Sequence, residues 1–254
     1  IWMTGGAVSL SLVAVLGLLL LIGWRGLVYF WPHPIYEWQL EDASGNKSVL
    51  IGEINDREMV PVERLRAAGQ ALEGEERELL TRYLVKTGNR EFVDLDFRWV
   101  LETDIKSRTQ PAELAMVERT TNGNFYGYIT SVKEDGRELT QDMHPALQRV
   151  LARANALSEQ ANDLQKGDIG SINYQLEKLR LKERKAELEG ELTDALKADL
   201  AAQRQALNDR YQVLEKELFS LRAQADRDAI TVKDMRGELV TMPMSKVLDV
   251  VWPN

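Results

Sequence analysis

The side chains that could do chemistry are few. Asp94 and Asp96 stand two residues apart, the spacing that puts two carboxylates on one face of a strand, where a pair can divide acid and base roles. Arg98 follows at the same spacing and turns the row into an ordinary polar strand surface. His33 and His144 are the only imidazoles; each precedes a proline, and their separation gives a turn-forming context rather than a metal or acid–base pair. Lys86-Thr87-Gly88-Asn89-Arg90 sets two cations around a glycine, the composition of a loop that grips an anion. A phosphate cradle, however, wants its glycines where a helix begins, since the free N–H groups point outward there. Lys178, Arg180, Lys182, Arg184 and Lys185 crowd cations onto one stretch, readable as a lipid head-group patch or as the solvated face of a helix.

No phosphate-loop glycine motif, G-x-S-x-G elbow or H-E-x-x-H pair occurs, so the chain does not read as an enzyme and implies no cofactor. The absence of cysteine excludes disulfides and thiolate metal sites. Asp and Glu number 40 against 32 Lys and Arg, and the net charge of -8 argues against a nucleic-acid partner.

The elements that would position these residues begin with an apolar one. Residues 1–24 contain no charged side chain, and Ala7 to Ile22 is almost unbroken apolar sequence. At about 1.5 Å per residue such a helix crosses the roughly 30 Å hydrocarbon core. Trp24, Arg25 and Trp31 follow as candidate interface anchors, where a cleaved signal would show a small-residue site. Tyr36, Trp38 and Leu40 alternate with polar positions, and Ser44-Gly45-Asn46 returns the chain through Val49 to Ile54 as a hairpin. Met59 to Leu84 has helical spacing at Leu79, Leu80, Tyr83 and Leu84, so Gly88 is expected to cap a helix whose last turn holds Lys86. Leu95, Phe97, Trp99 and Leu101 then alternate as a strand, and Thr121-Asn122-Gly123 and Glu134-Asp135-Gly136 punctuate further hairpins.

From Pro145 to Asp228 the period is helical. Leu147, Leu151, Ala154, Leu157, Ala161 and Leu164 form one seam; Leu207, Tyr211, Leu214, Leu218, Leu221 and Ala225 form another, stepping as in a coiled coil. The two seams are expected to fold back on each other, turning at Gly167–Gly170 or at Gly190. The order of cations before and anions after Gly190 favours the second, with the first as a kink. The tail resumes strands at Ile230, Val232, Leu239 and Val240, and Trp252-Pro253 echoes Trp31-Pro32 as though the chain were about to re-enter a membrane. The expected class is α+β: a transmembrane helix and anchor (1–29), a β-rich domain (30–143), an inserted antiparallel coiled-coil hairpin (144–228), and a returning β hairpin (229–254).

The apolar opening through Trp31-Pro32, the stretch "YLVKTGNREFVDLDFRWV" and the closing "ITVKDMRGELVTMPMSKVLDVVWPN" resemble the amino-terminal part of PstA-type permease subunits of bacterial phosphate ABC importers. The resemblance implies an inner-membrane protein with a large periplasmic insertion after its first helix. It implies as partners the lipid bilayer, a sister permease, a cytoplasmic ATPase and a periplasmic phosphate-binding protein. It also implies that this chain is a fragment: the remaining helices, the coupling segment and the phosphate path lie outside it. The periplasmic placement comes from the resemblance alone, because long domains translocate largely regardless of charge. Competing readings from the same layout are the periplasmic adaptor of an efflux pump, for which "VKEDGREL" and "VKDMRGEL" would be half-motifs, and the sensory domain of a membrane receptor.

Overall fold

The computed structural model describes residues 2–29, 32–93 and 95–254. Helix α1 (Trp2–Tyr29) contains the window Ser9–Leu27, of mean hydropathy 2.1 and with none of it buried, which fits a membrane span and a signal sequence alike. The rest is α+β, with two antiparallel sheets.

The first sheet takes its strands from one contiguous stretch: β1 (Ile35–Glu41), β2 (Lys47–Pro61), β3 (Leu79–Lys86), β4 (Phe97–Leu101) and β5 (Ile105–Thr109), in the order β4-β3-β2-β1-β5. The short helix α2 (Val62–Ala67) separates β2 from β3, and a 3₁₀ turn (Glu102–Asp104) separates β4 from β5. The β1–β2 turn forms because the Asp42 carboxylate accepts the N–H groups of Ser44 and Asn46, both at 2.9 Å. The Asn46 side-chain amide, which donates to the other carboxylate oxygen at 2.9 Å, and then these backbone bonds hold its pKa below the ordinary carboxylate value.

The second sheet comprises β6 (Leu114–Arg119), β7 (Phe125–Glu134), β8 (Arg137–Leu139), β9 (Ala229–Lys233), β10 (Leu239–Pro243) and β11 (Val247–Val251). Its main order is β10-β9-β7-β6-β11, with β8 paired to β7 and a 3₁₀ turn (Met244–Lys246) before β11. Strand for strand this repeats the first sheet, with β6, β7, β9, β10 and β11 in the places of β1 to β5.

The irregularities repeat as well. β2 is bulged between Ile54 and Asp56 opposite β3, and β7 between Ile129 and Ser131 opposite β9. Gly52, beside Tyr36, and Gly127, beside Ala115, stand where a Cβ would meet a backbone oxygen, Lys86 O at 2.3 Å and Lys233 O at 2.4 Å. Each glycine thus marks a crossing of two backbones too close for any side chain. The fold is an internal duplication, and equivalent residues meet at its centre. Ile35 and Leu114 share one register, Ile51 and Tyr126 another, and the four make a single buried cluster.

The insertion between β8 and β9 is helical. Helix α3 (Met143–Leu164), a π-helical turn (Gln165–Ile169) and α4 (Gly170–Glu189) are continuous, and α5 (Asp194–Ala225) returns beside them. The π turn sits at the expected kink. Partly or fully buried residues run Ala161, Leu164, then Ile169 and Ile172, so one step is five residues long, and an i→i+5 turn absorbs the extra residue. The reversal is at Gly190, which ends α4 at φ 71, and the Thr193 hydroxyl caps α5 by accepting the Leu196 N–H. Both seams face inward: Ala161, Ile169 and Leu218 cluster with Leu164, Tyr211, Leu214 and Leu221. The first turns of α3 also cover the second sheet, through Ala146, Leu147, Val150 and Ala154. At the root Asp228 is buried; it accepts from Arg153 Nε at 3.0 Å and from the Asp135 N–H at 3.0 Å.

One expectation is overturned. Met59 to Leu84 is not one helix: only Val62–Ala67 is helical, and residues 79–86 are the inner strand β3, paired with β2 and β4. Gly88 therefore caps no helix. Leu79, Leu80, Tyr83 and Leu84 satisfy a helical spacing, but Leu80, Arg82 and Leu84 also lie on one face of a strand, and neighbours on both sides decide the contest.

Candidate functional site

The stretch from Lys86 to Asp96 is the first point of interest, because the sequence left open whether it grips an anion. It joins β3 to β4 and is longer than its counterpart in the second sheet, residues 234–238. The extra length reaches across to that sheet. Asn89 is fully buried at φ 53; its Oδ1 accepts the Tyr126 N–H at 2.7 Å and its Nδ2 donates to Tyr126 O at 3.1 Å. β9 pairs with β7 only from Tyr128 onward, so the carboxamide of Asn89 takes a strand's place beside Tyr126. Gly88 must be glycine twice over, since its φ is +55 and a Cβ would stand 2.5 Å from Asn124 O. Phe92 packs edge-on against Phe125, with centroids 5.8 Å apart. The loop is a latch between the repeats. Of the paired acids, Asp96 lies 3.7 Å from Arg90 and Asp94 falls outside the described residues.

Beside the latch lies a cleft of about 340 Å³ lined by Pro32, His33, Glu53, Ile54, Asn55, Lys86, Met116 and Asn124. Its floor is set by a buried bond in which the Tyr126 hydroxyl donates to Glu53 Oε1 at 2.6 Å; Tyr128 likewise donates to Glu37 Oε2 at 2.6 Å. Burial, and then the neighbouring carboxylate, push the Tyr126 phenol well above its ordinary pKa. A raised folded-state pKa means the native state keeps a proton that the unfolded chain releases. Stability is therefore intact below about pH 10 and falls above it, by about 1.4 kcal/mol per pH unit from Tyr126. Urea titrations between pH 9 and 11, as approximate bounds set by the tyrosine range, should show this slope, and Tyr126→Phe should lessen it by that share, leaving the share of Tyr128, whose phenol is likewise pushed up by burial and Glu37. An equal slope in the variant would mean another group is responsible.

The lining of the cleft, a lysine, an imidazole, two carboxamides and an engaged carboxylate, suits hydrogen bonding to a polar group. A second cleft, lined by Glu41, Asp42, Glu73, Glu75 and Asp104 with Lys106, is acidic, and burial raises the Asp104 pKa. Among the described residues, no group of three or more metal-ligating side chains is placed to hold an ion.

The anchors expected from sequence are dispersed. Trp24, 70 % exposed, and Arg25 lie at the end of α1, and Trp31 falls outside the described residues. Trp252 is half-buried against the second sheet's core, its ring 4.2 Å from that of His144. The cationic stretch of α4 forms surface pairs, Arg180–Glu177 and Arg184–Glu187, each at 2.7 Å.

What the sequence did not disclose is the clasp at the domain's two ends. The Ile35 N–H donates to Asn254 Oδ1 at 3.0 Å, and Asn254 Nδ2 donates to Ile35 O at 2.9 Å and Pro111 O at 2.8 Å. One carboxamide thus ties the first residue of β1 to a residue 219 positions later. Searches against family models, curated proteins and solved structures give no match to this chain.

Proposed function

We propose that this chain is the anchor and extracytoplasmic domain of a permease subunit of an ABC importer for inorganic phosphate, resident in the bacterial inner membrane. The reading starts from the resemblance of the apolar opening, the latch loop and the closing strands to PstA-type subunits. The observation that carries it is the clasp: with Asn254 bonded to Ile35, any chain continuing past Asn254 leaves the domain beside the point where the chain from α1 enters it. That is the geometry required of a domain inserted between two membrane helices.

In this reading α1 spans the bilayer, with Trp24 and Arg25 at its interface. The domain has a structural or docking role: its net negative charge disfavours gathering phosphate, and the long helical arms, packed as a coiled coil, offer a surface to the binding protein or the sister permease. Transport itself, and engagement of the ATPase, belong to segments beyond this chain. Uptake of radiolabelled phosphate under phosphate limitation should collapse when the gene encoding this chain is disrupted, and return when it is restored. Unchanged uptake would overturn the assignment. Uptake that survives in-frame removal of residues 145–228 would show instead that the helical arms are dispensable.

A further inference from the structure

The edge strand β4 carries an apolar face that stays partly open to solvent among the described residues. Phe97 is 44 % and Trp99 40 % exposed, and Leu95, just before the strand, is 66 % exposed. Leu101, at the strand's far end, is buried under α2 with Leu65, Leu72 and Leu80. The register fixes where this stripe points. Phe97 lies opposite Lys86 and Trp99 opposite Leu84, so both rings share a sheet face with Lys86, and Lys86 in turn lies opposite Glu53. Lys86 and Glu53 line the cleft whose other wall is Pro32 and His33.

Pro32 is three residues beyond Tyr29, the last residue of α1. Three residues of extended chain reach at most about 10 Å. The rim of the cleft is therefore held close to the end of the apolar helix, and Phe97 is one strand away from that rim, about 5 Å across the ladder. With α1 spanning a bilayer, a first sheet that leans toward the membrane brings the stripe onto the head-group layer, which adds roughly 5–7 Å to each side of the hydrocarbon core.

The chemistry of the stripe suits that depth. Tryptophan and phenylalanine beside a cation are the side chains that settle at a membrane interface. The Arg82 guanidinium lies 4.1 Å from the Trp99 ring centroid, covering one face of the indole, and Lys86 flanks Phe97. An exposed edge strand bearing large apolar residues would otherwise invite pairing with other chains.

We propose that Leu95, Phe97 and Trp99 rest on the lipid surface, so that the first sheet lies against the bilayer rather than standing off on a flexible stem. This inference rests on α1 being a membrane span. The absence of cysteine makes the test direct, because any introduced thiol is unique. The full chain would be prepared as Phe97→Cys, Leu95→Cys, Leu16→Cys and Val213→Cys, each carrying a nitroxide, in vesicles of phosphatidylcholine and phosphatidylglycerol. Leu16 lies within the apolar helix, and Val213, 64 % exposed, lies on α5. Collision with oxygen, which enriches in lipid, is compared with collision with a water-soluble nickel chelate.

The expected result is an oxygen-to-nickel ratio at 97 and 95 several-fold above that at 213 and approaching that at 16. A ratio at 97 and 95 equal to that at 213, with 16 high, overturns lipid docking and leaves the membrane span standing. A low ratio at 16 removes the span, and both readings fall together. Labels at 97 and 95 that are immobile and shielded from both reagents would show that protein covers the stripe, which also overturns the proposal.

Discussion

Replacing Asn89 with alanine is expected to remove at least about 3 kcal/mol of unfolding free energy. The two groups it satisfies are the backbone N–H and C=O of Tyr126, both inside the protein. Each buried group left without a partner costs about 1–3 kcal/mol. Alanine would also have to hold φ 53, a left-handed conformation that asparagine tolerates and that costs other residues about 1–2 kcal/mol. Asn89→Gly relieves only the backbone part and should still lose the bonds. Asn89→Asp keeps an acceptor for the Tyr126 N–H but brings no amide donor to the carbonyl, so it should fall between. Urea denaturation of the three variants separates these contributions. A loss below about 1 kcal/mol for alanine, the size of an ordinary substitution, would mean that water replaces the carboxamide and that the loop is no latch.

The second large effect is expected in duplicate. Gly52→Ala and Gly127→Ala each place a methyl group against a carbonyl oxygen of the crossing strand, at 2.3 and 2.4 Å, with Val85 and Val232 methyl carbons at 2.7 and 2.8 Å behind it. The obstacle is backbone within a ladder, so neither can step aside without losing hydrogen bonds. The cost is about 3 kcal/mol apiece, the upper range for overpacking. Gly167→Ala in the π turn, where a Cβ meets nothing within 4 Å, serves as control and should be neutral or stabilising by about 0.5–1 kcal/mol. Matching losses at 52 and 127, read from thermal unfolding, are the energetic signature of the duplication. A large loss at one and none at the other would show that the second crossing had relaxed.

Much of this architecture is legible in local sequence because it is locally encoded. Asn122-Gly123 and Arg236-Gly237 sit between alternating runs and pair them as expected, and the helices turn at Gly190 and meet through Ala161 and Leu164 against Tyr211, Leu214, Leu218 and Leu221, while Leu147, Leu151 and Ala154 of the first seam pack on the second sheet instead. The strand at 79–86 was hidden because its leucines fit two periods, and only its partners decide between them. The duplication was hidden because almost nothing chemical repeats: Trp38 in the first sheet answers to Val117 in the second, and Tyr83 to Ile230. The likeness that does catch the eye, "VKEDGREL" and "VKDMRGEL", joins two hairpins that are not counterparts; the true counterpart of Val232-Lys233 is Val85-Lys86. The clasp and the latch lay beyond local reading, since each is a single asparagine whose partners are distant in the chain.

The inserted helices give the two copies of one plan different histories. The first sheet draws all its strands from residues 35–109, whereas the second must wait for residues 229–251 after the helical arms have emerged. A chain made from its amino end therefore completes the first sheet while β6 and β7 still lack β9 and β11 beside them. Until then the finished copy presents the Asn89 carboxamide as a template on which the edge of β7 can be held. The latch thus satisfies Tyr126 before β9 exists, and leaves residues 128–133 of β7 as the open edge until the helical arms have been made.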